Sequence, residues 1–246
     1  MYVNEATKLG LNINYSKTKI MIVSESTPPQ SIEINNHIVE VVDNFIYLGS
    51  KISRRGGIQH ETSRRIALAS DILRRLWRPL WKHRNIKIRT KMRIYNACVL
   101  SVLLYGSETW PLSASLARRL AGFETRAQRR VLGIRWQDRV TNEELRRRSL
   151  QPPLPRLLAQ RRLRWFGHVL RMPEDNPTKA IFDFNPTTAG WRRPRGRPHT
   201  RWTDVLEGDL ELLGVALNRA RDLALDRPSW RHLVSLAAST PHRHET

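Results

Sequence analysis

The sequence predicts an α+β protein that is mostly α: a small antiparallel strand group, then a helical bundle, then a basic helical C-terminal part. Three observations predict it. Apolar residues alternate or run in short β-rich stretches only before about residue 53; beyond that point they recur at helical spacing. All eight Trp lie after that point, at 77, 81, 110, 136, 165, 191, 202 and 230. The 246 residues are 40% hydrophobic with only 12 Gly and 14 Pro, enough apolar side chain to bury a core.

A short helix is expected into Gly10, followed by strands. Lys19-Ile20-Met21-Ile22-Val23 is apolar and β-rich. Ser31-Ile32-Glu33-Ile34 alternates up to Asn35-Asn36, a two-residue turn signal, and Val39-Glu40-Val41-Val42 follows, so Ile32 is expected to pair with Val39. Phe45-Ile46-Tyr47-Leu48-Gly49 reads as a further strand. Three or four strands with one apolar face need cover that these residues scarcely supply, and part of a domain is therefore expected to be missing.

From Thr62 the stripe Ile66, Ala69, Leu73, Leu76, Trp77, Leu80 marks a helix, with Arg64, Arg75, Arg78 and Lys82 opposite. Pro79 should end or kink it near Trp77, because proline removes a ladder donor. A second helix is expected from about Thr90 to Leu104, stopping at Gly106, and a third from about Ser113 to Leu132, ended by Gly133. Thr141-Asn142-Glu143-Glu144 is a capping box that opens the next helix. After Pro152, Pro153 and Pro155 another helix runs to about Arg171, on which Arg161, Arg164, His168 and Arg171 fall on one basic edge. Residues 173–202 read as a Pro- and Arg-rich loop, and helices are expected at Asp204 to Leu213, Leu217 to Leu225 and Ser229 to Ala238. No internal repeat is present.

Charge is the strongest functional signal. The formal charge is +21, with 43 Lys+Arg against 22 Asp+Glu. Residues 1–53 hold four Lys, no Arg and five acids, so the other 39 basic and 17 acidic residues all lie downstream. Arginine interleaved with aromatic residues points to a polyanionic partner, RNA, DNA or an RNA–DNA hybrid, with solvated helix faces as the plain alternative. No basic cluster sits beside an apolar anchor, which argues against a membrane partner. The single Cys98 excludes an internal disulfide framework and fits a reducing compartment. No apolar stretch approaches the ~20 residues of a membrane span and no signal-like start follows Met1. An intracellular protein of the nucleus or cytoplasm is expected, of undetermined oligomeric state.

Three ordered clusters resemble the reverse transcriptase, an RNA-directed DNA polymerase, of non-LTR (LINE-like) retrotransposons. Gly10-Leu11-Asn12-Ile13-Asn14 with Lys17-Thr18-Lys19 is similar to the motif after the catalytic aspartates, and Phe45-Ile46-Tyr47-Leu48-Gly49 to the primer-grip strand. The third cluster is Leu103-Leu104-Tyr105-Gly106-Ser107-Glu108-Thr109-Trp110, Arg130-Val131-Leu132-Gly133-Ile134, Arg161-Arg162-Leu163-Arg164-Trp165-Phe166-Gly167-His168-Val169, and Arg195-Gly196-Arg197-Pro198 with Arg201-Trp202-Thr203-Asp204. The resemblance implies a palm remnant over residues 1–53, a helical thumb over 54–135 and a basic C-terminal domain over 136–246 with an Arg/Pro-rich loop at 186–202.

The resemblance further implies that Lys17 and Lys19 are remnants of a nucleotide-proximal site and that Tyr47, Leu48 and Gly49 lie where a primer end would sit; an ordinary strand is the alternative for both. Arg64, Arg75, Arg78, Lys82, Arg161, Arg162, Arg164, His168 and Arg171 would follow a nucleic-acid backbone. Trp165 and Trp202 either stack on bases or lie in a core. Arg192, Arg193, Arg195 and Arg197 form an AT-hook-like string that suits a narrow minor groove, a phosphate-contacting loop or a linker. His242 and His244 lack companion ligands, so no metal site is expected.

The family enzyme needs Mg²⁺ held by an upstream carboxylate and a Tyr/Phe-X-Asp-Asp turn. This sequence contains no Asp-Asp pair. No catalytic residue and no cofactor are therefore assigned. The expected product is a truncated or artificially started one that grips template and primer without polymerising, and the resemblance implies that the endonuclease domain of the family, like its catalytic aspartates, would precede Met1. A stand-alone RNA- or DNA-binding module, or a decayed reading frame without a selected role, is the alternative.

Overall fold

The computed structural model describes residues 8, 10, 12–22, 31–54, 56–183 and 200–237. The segment around Val23, the string Arg192 to Arg197, and His242 and His244 lie outside them. The chain divides into two compact units, Met1–Ser63 and Arg64–Thr246. Helices dominate and the strands form two small sheets, so the fold is α+β and mostly α.

In the first unit β2 (Ile32–Ile34) and β3 (His37–Val41) form a hairpin in the expected register, Ile32 opposite Val39. Asn35 and Asn36 adopt φ of 48° and 60°, which their short polar side chains tolerate and which matches the strand twist. One pairing departs from an all-antiparallel group: β1 (Lys19–Ile20) runs parallel to β3, giving the order β1-β3-β2. The run from Phe45 is a hairpin rather than one strand. β4 (Asn44–Tyr47) turns through Leu48 and Gly49 into β5 (Ser50–Ser53). Glu61 then accepts the Lys51 backbone N–H at 2.8 Å.

Helix α1 (Gln59–Arg75) buries Ala69 and Leu73 and gives way at Pro79 to a wider π-helical turn, Trp77–Trp81. The disrupted ladder is repaired by side chains: the Trp81 indole N–H donates to the Leu73 carbonyl at 3.0 Å, and buried Lys91 donates to the Trp81 carbonyl at 2.8 Å. Burial lowers the Lys91 pKa. Helix α2 (Ile88–Ile94) continues through a π turn, Tyr95–Leu100, and Ser101–Leu103, ending before Gly106 at φ 70°. Helix α3 (Ala114–Leu132) starts on Ser113, whose hydroxyl accepts the Leu116 N–H, and stops at Gly133, φ 70°.

The apolar face of α3 also carries a polar cluster. Gln128 donates to Glu124, and Ser149 donates to Gln128 Oε1 at 3.1 Å. Burial raises the Glu124 carboxyl to about 7, against the charge of Arg146 and the Gln128 bond, which lower it. Burial, and second the Glu124 charge, push the Tyr95 phenol above its ordinary range.

Thr141 caps α4 (Asn142–Ser149) as expected, accepting the Glu144 N–H at 3.2 Å. Helix α5 (Leu154–Leu170) is the spine of the second half. Its Leu163, Phe166 and Leu170 pack with Leu206 and Leu210 of α7 (Trp202–Glu211), Ala220 and Ala224 of α8 (Leu217–Leu225), and Trp230, Val234 and Ala237 of α9 (Arg227–Ala237). Residues 177–183, expected as loop, form α6 (Pro177–Asp183), with Pro177 in its first turn, where the missing donor costs nothing. Phe182 of α6 meets Phe166 and Trp202 with ring centroids 5.5 Å apart in each case.

Candidate nucleic-acid interface

The basic side chains separate by what each is already bonded to. Lys17 is exposed beyond a turn in which the Asn14 side chain accepts the Lys17 N–H at 3.2 Å. Lys19 sits opposite Glu40 in the β1–β3 register and is ion-paired to it. Tyr47, Leu48 and Gly49 form the exposed tip of the β4–β5 hairpin, with Leu48 at φ 46° and 74% exposed.

On α1, Arg64 is half-buried with a partner of its own, and exposed Arg75 pairs with Asp71 at 2.6 Å. The hydrogen bond from Arg74 is the largest influence lowering the Asp71 pKa. Arg78 and Lys82, beyond it at the π turn, are exposed.

On and just after α5 the expected backbone-following residues split. Arg162 faces inward: its guanidinium grips Asp209 of α7 through Nε at 2.6 Å and a second nitrogen at 2.9 Å, and both side chains are buried. It forms a core ion pair and offers no donor to a nucleic-acid backbone at the surface. Arg161 donates to the Leu104 carbonyl at 3.2 Å, with Glu108 3.8 Å away, and thereby ties α5 to the end of the preceding helical run. Arg171 donates to the Ala224 carbonyl at the end of α8. Burial, and second the charge of Arg227, lower its pKa. Arg164 and His168 remain exposed to solvent.

The two tryptophans divide as well. Trp202 donates its indole N–H to the Glu108 carbonyl at 2.7 Å and packs against the C-terminal core, which is a structural position. Trp165 is half-buried, tilted over His168 at 5.6 Å. Sequence reading passed over Trp136, which is 84% exposed between exposed Arg135 and Arg139. It also passed over Arg227 and Arg231, one turn apart on α9, which face Arg164, His168 and Arg171 of α5 across a cleft of about 350 Å³. Their i, i+4 spacing was visible; the helix they would face was not.

Among the described residues no cluster of three or more His, Cys, Asp or Glu is placed to hold a metal ion, and no helix is long and apolar enough to cross a membrane.

Among known proteins the chain is similar to an uncharacterized protein of Caenorhabditis elegans named as transposon-derived, with 27% identity over 249 aligned positions, 94% of this chain and 85% of that protein. No known family matches the sequence, and no solved structure matches it.

Proposed function

We propose that this chain derives from a transposable element and is part of a non-LTR retrotransposon reverse transcriptase that grips template and primer without polymerising by itself. The observation that carries this reading is the series of ordered motif clusters, and the similarity to one known protein supports its transposon origin. The ordered motif clusters span nearly the whole chain, and the similarity to a protein named as transposon-derived covers 94% of it.

Charge supports the gripping role, since the positive excess is confined to the part of the chain after residue 53. Arg78 and Lys82 beyond α1 and Arg164 and His168 on α5 are exposed donors that can meet phosphate oxygens without rearranging the core. Contacts of that kind read the shape of a duplex rather than its sequence, as a polymerase thumb must. The metal-dependent transfer step belongs to carboxylates of a type this sequence does not present, having no Asp-Asp pair.

Two measurements on the purified chain test the reading. Primer extension on an annealed RNA–DNA template with Mg²⁺ or Mn²⁺ is expected to give no incorporation, and reproducible extension would overturn the non-polymerising assignment. Affinity for an RNA–DNA hybrid is expected to fall steeply with salt, because each neutralised phosphate releases counterions. A salt-independent affinity would remove the gripping role.

A further inference from the structure

The packing of α9 on α5 brings like-charged arginines to the two sides of one cleft, where their summed field favours an anion. Arg164 and His168 come from the last turns of α5 and Arg171 from the residue that caps it, and Arg227 and Arg231 from the first turns of α9. The volume, about 350 Å³, lies at the lower end of the ~300–1,000 Å³ typical of ligand sites. Among the described residues Arg164, Arg227 and Arg231 form no ion pair. The effect of Arg227 on Arg171 is the electrostatic signature of this crowding: its charge lowers the Arg171 pKa, second only to burial.

Two features add to the positive field. Arg227 stands at the N-terminal end of α9, where the helix dipole already favours an anion and disfavours a cation. The Ala224 carbonyl at the end of α8 holds the Arg171 guanidinium in place beside the cleft. The floor is apolar, formed by Trp230 and Val234. Charged donors over an apolar base match the chemistry of a sugar–phosphate chain.

We propose that the α5–α9 cleft is a phosphate-binding site that takes the backbone of a nucleic-acid strand, with Arg164, Arg227, Arg231 and His168 as donors and Arg171, anchored on the end of α8, as the positioning residue at its edge. This inference rests on the nucleic-acid reading given above and specifies where the strand is held. Arg227 and Arg231 are exposed, so neutralising them leaves the core of the unit intact.

The test is fluorescence anisotropy of labelled B-form DNA and an RNA–DNA hybrid, titrated across salt, with three double variants of the whole chain. R227Q/R231Q is expected to flatten the log affinity against log salt slope on DNA by about 1.8, at ~0.9 per phosphate contact. R227K/R231K, which keeps the charge, is expected to retain the wild-type slope within about 0.5, roughly half of one contact. R147Q/R148Q removes the same net charge from a place where both arginines are bonded to Glu144, at 2.6 Å each, and is expected to leave the slope unchanged within the same margin.

If the wild type binds and R227Q/R231Q behaves like R147Q/R148Q, the cleft assignment is overturned while the gripping role stands. If the wild type binds neither nucleic acid, both fall together. Loss of binding to phosphatidylserine vesicles but not to nucleic acid in R227Q/R231Q would overturn the assignment in favour of an anionic membrane surface.

Discussion

Replacing Glu124 by glutamine removes a carboxyl group that the helical unit has taken out of water. The side chain lies on the buried face of α3, its residue 7% exposed, with an amide donor from Gln128. Burial raises its pKa from 4.5 to about 7. Below pH 4.5 the folded and unfolded chains both carry the proton. Between 4.5 and about 7 only the folded chain keeps it, so the unfolded chain binds fewer protons and stability falls as pH rises. At ~1.4 kcal/mol per unit the accumulated loss is about 3 kcal/mol above pH 7, where it levels off.

Glutamine has nearly the same shape, still accepts from Gln128 and carries no charge at any pH. Glu124→Gln is therefore expected to match the wild type near pH 4.5 and to exceed it by about 3 kcal/mol at pH 8. For a unit of this size that corresponds to a rise in Tm of roughly 6–12 °C. Urea unfolding followed by circular dichroism at both pH values reads the difference directly. A variant with the same pH slope as the wild type, or one less stable at pH 8, would refute the claim that the ionised carboxylate is a burden on the fold.

Two further substitutions probe the C-terminal core. A methyl group at Gly167 would stand 2.1 Å from the Trp230 indole nitrogen, which donates to the Leu163 carbonyl at 3.0 Å, so Gly167→Ala should cost about 2–5 kcal/mol from overpacking and a lost buried bond; an unchanged urea midpoint and unchanged tryptophan emission would contradict it. Asp209→Ala should cost about 3–5 kcal/mol because it strands the buried Arg162 guanidinium, whereas the double change R162M/D209L should recover most of that loss; a single variant as stable as the wild type would show the pair to be dispensable.

What the sequence disclosed was governed by neighbours along the chain. The Asn35-Asn36 turn, the Ser113 and Thr141 caps and the Gly133 stop depend on three or four residues each, and all stand where local chemistry put them. Arg162 lies four residues from Leu158 and from Phe166, on the apolar side of α5, but the acid that makes a buried guanidinium tolerable there, Asp209, lies 47 residues away. The apolar run from Phe45 hides the β4–β5 turn, because Leu48 carries no turn signal and yet adopts a positive φ beside Gly49. The charge asymmetry was legible as a total. Its sorting was not, because Glu108, the Leu104 carbonyl and the Ala224 carbonyl each claim an arginine only once helices have packed, whereas the Asp71–Arg75 pair lies within one helix at i,i+4.

The missing side chain at Gly167 has a meaning beyond packing density. It lets the Trp230 indole lie directly against the α5 backbone with its N–H on the Leu163 carbonyl, so a rigid ring rather than a flexible aliphatic stem fixes where the arginines of α9 stand relative to those of α5. A calliper of that kind holds its opening whether or not anything lies between its jaws.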